Sequence, residues 1–243
     1  MILLTALPRT GKTTAIKKII QMLGSKNCGG FFTEELKEDG ERVGFMIKTL
    51  SGKTGLLSHV NFDSKYKISK YGVDLDNFEK ICLNELNNSI NNDNIKYIII
   101  DEIGPMQLFS IKYKNILNEL LHSKKQVIGT IFMNSYEWLD DFKKNNGIDL
   151  IEINLENRNE LPLKIVKMVT KGDEVMQRKI NKALKYSNEM DRFVILDDCI
   201  EVHSEHGIRT IRKEKLICDC DYFKTNGTCS HIIALVNSNI LNK

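Results

Sequence analysis

The sequence predicts a three-layer α/β fold with a largely parallel sheet. Strand-like apolar runs alternate with amphipathic helical segments through about the first 170 residues, which is typical of repeated β-α units. Short strands linked by turns interrupt this alternation near residues 29–60 and indicate an antiparallel insert. Beyond residue 171 the pattern changes to a charged helix, a hairpin and a cysteine-rich end, so a small second domain is expected.

Composition limits the class of protein. The 243 residues are enough for one or two domains with a buried core, and 42% hydrophobic with 28% charged residues is typical of a soluble globular chain. A formal net charge of +3 is too small to indicate a nucleic-acid partner by itself. No apolar run approaches the ~20 residues that cross a bilayer, and the N-terminus leads directly into a strand. We therefore expect a cytoplasmic protein without a membrane partner.

The N-terminal stretch has the pattern of a phosphate-binding loop between a strand and a helix. Its residues are Ala6, Leu7, Pro8, Arg9, Thr10, Gly11, Lys12, Thr13 and Thr14. In such a loop the backbone N–H groups and the helix N-terminus bind the β- and γ-phosphates, Lys12 reaches their oxygens, and Thr13 is a ligand of Mg²⁺. Ala6 and Arg9 depart from the usual small residues. The alternative is an ordinary strand–turn–helix with a chance Gly-Lys-Thr.

The rest of the first 171 residues predicts the following elements in order. They are a loop entering a strand at 29–35, strands at 42–50 and 56–60 around a turn at 51–55, a loop at 61–73, a helix from 75 to about 89 capped by Asp74, a strand at 97–102, a helix at 111–121, a strand at 126–131, a helix at 136–144, a strand at 150–153 and a helix at 161–169.

A carboxylate pair follows the most apolar of these strands. Asp101 and Glu102 come directly after Tyr97-Ile98-Ile99-Ile100, a run typical of a central parallel strand. Ligands bind at the carboxyl ends of such strands. Together with the upstream loop, Asp101 is predicted to hold Mg²⁺ opposite Thr13, and Glu102 to activate the attacking water. A solvated acidic turn is the alternative for either carboxylate alone.

Up to this point the chain resembles the THEP1 family of nucleoside-triphosphatases, also called cancer-related nucleoside-triphosphatases. The matching pieces, in family order over residues 1 to about 170, are the phosphate loop, Gly30-Phe31-Phe32-Thr33-Glu34-Glu35, Arg42-Val43-Gly44-Phe45, Lys70-Tyr71-Gly72-Val73, Asp101-Glu102-Ile103-Gly104 with Met106, and Glu156-Asn157-Arg158 before Leu161-Pro162. The resemblance implies a three-layer P-loop NTPase fold and Mg²⁺-dependent hydrolysis of several nucleoside triphosphates, ATP and GTP among them, with little base selectivity. Gly104 and Arg158, which lie in these pieces, are predicted to be nucleotide-binding residues.

Several residues in these pieces have two interpretations. Arg42 and Arg158 are candidates for contacting phosphates or the base, since a second cation on the γ-phosphate helps phosphoryl transfer, but each could equally form a surface ion pair. Phe31, Phe32 and Phe45 are expected in the core rather than stacked on a base.

The last 72 residues contain a second set of chemically distinctive side chains. A helix is predicted at 175–186, strands at 192–196, 200–203 and 208–212, a turn at 224–227 and a short helix at 232–236. Among them stand Cys218, Cys220, Cys229 and His231, which form a tetrahedral Zn²⁺ set with no open position and hence a structural site. Unrelated thiols beside a core histidine are the alternative.

This spacing resembles the SWIM zinc finger over residues 190–240, a module associated with binding DNA or protein. From residue 172 onward, 11 Lys and Arg balance 11 Asp and Glu, so charge does not select the partner. The predicted organisation is thus a nucleoside-triphosphatase domain at 1–171 and a SWIM-type domain at 172–243. A nucleoside or nucleotide kinase and a nucleotide-switched adaptor for nucleic acid or protein are the competing functions.

Overall fold

A computed structural model describes residues 1–238 and 240 of the chain. The chain forms two compact units: Met1–Ile16 with Cys28–Asn154, and Lys17–Asn27 with Leu155–Lys243. The last residues of the predicted SWIM-type domain, 239 and 241–243, lie outside the described residues. The division at residue 171 remains a prediction about domains.

The elements up to residue 154 form a βα pattern with an antiparallel insert. In chain order they are β1 Ile2–Thr5, α1 Lys12–Leu23, β2 Cys28–Glu38, β3 Glu41–Thr49, β4 Thr54–His59, β5 Lys67–Ile68, β6 Tyr71–Val73, α2 Leu75–Phe78, a π-helical turn Glu79–Leu83, α3 Asn84–Asn91, β7 Tyr97–Ile103, α4 Ile111–Leu121, β8 Gln126–Ile131, α5 Glu137–Lys143 and β9 Asp149–Glu152. Within α1, the residues from Lys17 onward count with the second unit.

These strands build one nine-stranded mixed sheet in the order β5-β6-β4-β3-β2-β7-β8-β1-β9. Neighbouring strands pair in parallel from β2 through β7, β8 and β1 to β9. On the other side of β2, the strands β3, β4, β6 and β5 each pair antiparallel with their neighbours. The predicted α/β fold with an antiparallel insert is confirmed. Because β8 lies between β1 and β7, the carboxyl ends of these three parallel strands share one edge of the sheet, where ligands bind in such folds.

Two segments of the first unit differ from the prediction. The strand predicted within 29–35 is present, but the predicted loop before it is not, since all of these residues belong to β2. A Cβ at Gly30 would stand 2.0 Å from the Ile99 carbonyl oxygen, so glycine permits β2 to pair closely with β7. The predicted loop at 61–73 contains the short hairpin β5–β6, anchored by Tyr71, which is buried. The helix at 75–89 is present with its Asp74 cap, and it continues through the π-helical turn to Asn91.

The second unit combines helices with a small antiparallel sheet. Its elements beyond residue 154 are α6 Leu161–Val169, α7 Glu174–Ser187, β10 Phe193–Ile195, β11 Cys199–Ser204, β12 Gly207–Arg212, β13 Ile217–Cys218, α8 Asp221–Asn226 and α9 Ser230–Asn237. The four strands pair antiparallel in sequence order, which confirms the predicted hairpin of β11 and β12.

The core of this unit forms where α7 packs against α9. Ile180 and Tyr186 of α7 and Ile233 and Leu235 of α9 are fully buried. The predicted turn at 224–227 is wrong in detail, since these residues end the helix α8, which Gly227 terminates in the left-handed conformation. Among the residues that the structure describes, no helix combines the length and apolar character needed to cross a membrane.

Candidate active site

A cavity of about 490 Å³ opens at the carboxyl edge of the large sheet, within the first unit. Residues of the loop after β1, the start of α1, the strands β2 and β3, the end of β7 and the segment after β8 line it. They are Ala6, Leu7, Pro8, Arg9, Gly11, Lys12, Thr13, Thr14, Thr33, Glu35, Arg42, Phe45, Asp101, Glu102, Phe132, Met133 and Asn134. The loop after β1 and the carboxylates at the end of β7 therefore face one space.

The loop after β1 turns into α1 with unusual backbone geometry. Arg9 has φ of +64° and Gly11 has φ of +110°, both in the left-handed region. Glycine enters this region at little cost, whereas a residue with a Cβ is strained there, so Arg9 occupies a position that suits glycine. Lys12 Nζ donates a hydrogen bond to the Ala6 carbonyl at 3.1 Å, which holds the ammonium group over the loop.

Asp101 is held by a neighbouring strand. The residue is 2% exposed, and Thr130 Oγ1 on β8 donates a hydrogen bond of 2.5 Å to Asp101 Oδ1. Because β7 and β8 are paired, the hydroxyl of one strand fixes the orientation of the carboxylate on the other. Asp101 and Thr13 line the same cavity, and carboxylate and hydroxyl oxygens are hard ligands of the kind that Mg²⁺ prefers.

Glu102 has the electrostatic character of a proton acceptor near neutral pH. Burial raises the pKa of Glu102 to about 7; Lys12 opposes this rise and Asp101 adds to it. A carboxyl group with a pKa near the operating pH can take a proton from a reacting water and release it afterwards.

Most of the sequence-predicted residues meet in the cavity. All of the loop from Ala6 to Thr14 except Thr10 lines it, together with Asp101 and Glu102. The Thr10 hydroxyl instead donates to the Leu7 carbonyl at 2.8 Å, which closes the turn. Gly104 follows β7, where a Cβ would stand 3.6 Å from the Glu102 carboxylate, and Arg158 belongs to the second unit.

Sequence reasoning missed part of the lining. Phe132, Met133 and Asn134 line the cavity and Thr130 supports it, and the sequence analysis names none of them. Thr33 and Glu35, which the sequence analysis names only as part of a family-like stretch, line the cavity as well. The segment 132–134 follows a parallel strand directly, and that position alone was a signal, because ligands collect at such strand ends. Phe45 was expected in the core; it packs there in part and also lines the cavity.

Comparison with known proteins shows the family of this chain. The NTPase family model matches residues 1–166, which include every lining residue of the cavity. The chain belongs to the THEP1 nucleoside-triphosphatase family. Nucleoside-triphosphatase THEP1 of Thermotoga sp. strain RQ2 is 41% identical over 160 residues, covering 66% of this chain and 90% of the relative. The cancer-related nucleoside-triphosphatase homolog of Mus musculus is 34% identical over 181 residues, covering 69% and 95%.

Two solved structures are similar to this chain over nearly their whole length. The crystal structure of THEP1 from Aquifex aeolicus superposes with a TM-score of 0.64 at 35% identity, covering 70% of this chain and 99% of that one. The solution structure of a human cancer-related nucleoside triphosphatase has a TM-score of 0.62 at 31% identity, covering 71% and 98%. The protein is accordingly a nucleoside-triphosphatase, and a nucleoside triphosphate is its substrate.

The second unit also brings four potential metal ligands together, and they lie beyond residues 1–166, which the NTPase family model matches. Cys218 ends β13, Cys220 precedes α8, and Cys229 and His231 stand at the start of α9. All four are buried, and their ligand atoms lie within 4.8 Å of one another. His231 Nδ1 lies 3.6 Å from Cys218 Sγ and 3.7 Å from Cys229 Sγ.

These separations fit a tetrahedral ion. Bond lengths of about 2.3 Å to sulfur and 2.0 to 2.1 Å to nitrogen place ligand atoms about 3.6 Å apart around zinc. The His231 ring also stacks on Tyr186 of α7, with 6.1 Å between ring centroids, which fixes the orientation of the imidazole. The set of three thiols and one imidazole is thus compatible with a metal site.

Proposed function

We propose that the cavity hydrolyses ATP, GTP and other nucleoside triphosphates to the diphosphate and phosphate in a Mg²⁺-dependent reaction. The observation that carries the proposal is the single cavity shared by the loop from Ala6 to Thr14 and the pair Asp101 and Glu102. In this assignment the loop N–H groups and Lys12 bind the β- and γ-phosphates. Gly104 and Arg158 stay predicted nucleotide-binding residues.

Thr13 and Asp101 would hold Mg²⁺, which when bound neutralises charge on the phosphate oxygens. Glu102 takes the proton of the attacking water as the water oxygen bonds to the γ-phosphorus. The bond from that phosphorus to the bridging oxygen breaks, and its electron pair remains on the diphosphate. Lys12 stabilises the negative charge that collects on this oxygen.

Replacing Glu102 by glutamine tests the reaction. Glu102→Gln keeps the shape of the side chain and removes the proton acceptor, so we expect turnover to fall by at least about 100-fold while nucleotide affinity stays within about threefold. Glu41→Gln, at an exposed position of β3, is the matched control. Phosphate release and nucleotide binding are measured on the same preparations. Wild-type turnover in Glu102→Gln would refute the assignment of the base.

The same assay separates hydrolysis from kinase chemistry. With a labelled γ-phosphate and added nucleosides or nucleoside monophosphates, hydrolysis releases free phosphate, whereas a kinase transfers the label to the acceptor. A labelled acceptor would replace the hydrolase proposal by the kinase one.

We further propose that Cys218, Cys220, Cys229 and His231 hold one structural Zn²⁺ in a SWIM-type finger within the domain 172–243. Support comes from the convergence of their buried ligand atoms. Such an ion cross-links β13, α8 and α9 and supplies folding free energy to a segment with little core of its own. None of the six cysteines, each among the described residues, forms a disulfide, which supports a reducing compartment such as the cytoplasm.

Metal analysis tests the zinc proposal. The purified protein is expected to contain one zinc per chain, and Cys220→Ser to lose it together with thermal stability. Cys199→Ser on β11, outside the cluster, is the control and should retain the metal. A wild-type protein without metal, unaffected by chelators, would contradict the proposal.

The finger is proposed to bind DNA, RNA or protein. Phosphate release measured with single- and double-stranded nucleic acid at two salt concentrations addresses the nucleic-acid form, because phosphate contacts make binding steeply salt-dependent. Stimulation that declines with salt supports it. A rate indifferent to every nucleic acid contradicts it and favours a protein partner.

A further inference from the structure

Arg42 lines the same cavity as Lys12 and Glu102, although it lies in the antiparallel insert and not in the loop or on β7. Three cationic and three acidic side chains line the cavity: Arg9, Lys12 and Arg42, and Glu35, Asp101 and Glu102. A triphosphate adds several negative charges to a site whose own charges balance. The position of each cationic side chain therefore affects the affinity for the triphosphate and the rate of its hydrolysis.

A β-bulge brings Arg42 to this side of the sheet. Phe45 pairs with Glu35 across β2 and β3, and the register shifts between Leu36 and Lys37, so that Arg42 pairs with Lys37. In a regular ladder, residues 45 and 42 of one strand point to opposite faces, because side chains alternate. The extra residue of the bulge returns Arg42 to the face that carries Glu35 and Phe45.

The guanidinium is then held by two hydrogen bonds. Arg42 Nη1 donates to Glu35 Oε1 at 2.8 Å, and Arg42 Nε donates to the Tyr71 hydroxyl at 3.0 Å. Tyr71 is 5% exposed, and its hydroxyl donates in turn to the Arg42 carbonyl at 3.3 Å. The guanidinium carbon also lies 5.1 Å from the centre of the Phe45 ring.

These contacts orient the group and leave it able to bind a ligand. A guanidinium has five N–H donors, and the two bonds use one on Nε and one on Nη1. A planar, permanently charged fork with its orientation already set can bind phosphate oxygens with a small loss of conformational entropy. An ion pair with a purely structural role would need neither a position in the cavity nor a second hydrogen bond to a buried tyrosine.

We propose that Arg42 is a catalytic residue that contacts the γ-phosphoryl group in the transition state, with Glu35 and Tyr71 as positioning residues. The proposal rests on the hydrolytic reaction given above. As the water oxygen bonds to phosphorus and the bond to the bridging oxygen breaks, charge spreads over the equatorial oxygens and the leaving oxygen. Arg42 stabilises this charge, whereas Lys12 and the loop N–H groups also bind the ground state.

The experiment compares Arg42→Gln with Lys37→Gln. Both residues form an ion pair with Glu35, at 2.8 and 3.4 Å, but Lys37 does not line the cavity. We expect Arg42→Gln to lower kcat by at least about 100-fold and to bind nucleoside diphosphate within about threefold of wild type. It should also lose most of the gain in affinity that aluminium fluoride gives to the bound diphosphate. Lys37→Gln should change each quantity by less than about twofold.

Glu35→Gln is a second variant, which keeps the charge of Arg42 but weakens the hydrogen bond to residue 35 that orients the guanidinium. We therefore expect kcat to fall less in Glu35→Gln than in Arg42→Gln. Thermal unfolding of each variant shows whether the fold is kept. The proposal is overturned if Arg42→Gln and Lys37→Gln have equal kcat. It is also overturned if Arg42→Gln weakens diphosphate and diphosphate–aluminium fluoride equally. Failure of the base assignment would appear separately, as normal turnover in Glu102→Gln.

Discussion

Thr228 Oγ1 donates a hydrogen bond of 2.8 Å to the Met22 carbonyl, joining residues 206 positions apart. Thr228 directly precedes the ligand Cys229, and Met22 lies in the last turn of α1. Asn27 Nδ2 donates to the Asn226 carbonyl at 3.0 Å, which adds a second bond between these segments. In the second unit, the segment before Cys229 is therefore built on the end of α1.

Because these two segments approach closely, we expect Gly24→Ala to lower the free energy of unfolding by an unusually large amount. A Cβ at Gly24 would stand 2.7 Å from the Asn226 carbonyl oxygen, and the residue has φ of +86°. Gly40 has φ of +83° with nothing within 4 Å of its Cβ position, so Gly40→Ala measures the conformational strain alone. We expect about 1 kcal/mol of destabilisation for Gly40→Ala and about 2 to 4 kcal/mol for Gly24→Ala. Urea unfolding compares them, and equal losses would contradict the close contact.

We expect the replacement of Arg9 by glycine to increase the stability of the folded chain relative to its replacement by alanine. Its φ of +64° suits glycine, so Arg9→Gly should relieve backbone strain, whereas Arg9→Ala removes the same charge and keeps the strain. We expect Arg9→Gly to be about 1 kcal/mol more stable than Arg9→Ala, after allowing for the greater freedom of glycine in the unfolded chain. Thermal unfolding without nucleotide measures the difference. Equal stability of the two variants would show that the loop is not strained at this position.

The raised pKa of Glu102 predicts two pH dependences. A base must be ionised, so kcat/KM of the wild type should rise with pH to a plateau above about 7. The second concerns stability. The folded-state pKa exceeds the ordinary value of 4.5, so between these values the folded chain holds a proton that the unfolded chain has released. Stability from this group is lost as the pH rises through about 7.

Glu102→Gln imitates the protonated acid and should remove that loss. It is expected to be more stable than the wild type at pH 8, with a difference that shrinks toward pH 4.5. Denaturant unfolding across this range checks the sign. A wild type as stable as Glu102→Gln at pH 8 would indicate an ordinary pKa for Glu102.

We expect Thr130 to influence the affinity for Mg²⁺ through Asp101, although Thr130 is not itself a predicted Mg²⁺ ligand. Thr130→Val removes the hydrogen bond that orients Asp101, so the Mg²⁺ concentration for half-maximal turnover should rise by about 10-fold. Thr5→Val is the matched control on the adjacent strand β1, since the buried Thr5 hydroxyl has no hydrogen-bond partner among the described residues. We expect Thr5→Val to leave the Mg²⁺ dependence unchanged and the stability equal or slightly higher. Equal Mg²⁺ dependence in both variants would contradict the role of Thr130.

Local patterns were sufficient for much of the fold. The helices at Ile111–Leu121 and Leu161–Val169 and the strand at Gln126–Ile131 begin and end where the hydrophobic periodicity predicted. Glycine misled the prediction at Gly29 and Gly30, because the same residue that suits a loop also permits two strands to approach closely. Tyr71 and its hairpin were missed since strands of two and three residues leave almost no periodic signal.

The sequence by itself determined the order of the longer strands and helices, the phosphate loop, the carboxylate pair and the four potential metal ligands, because each is a local pattern of residue types. Only the tertiary structure decided what surrounds them. The placement of β8 between β1 and β7 brings Thr130 to Asp101, and the bulge in β3 turns Arg42 into the cavity. Strand order and register depend on packing between residues far apart in the chain, and no local pattern encodes that packing.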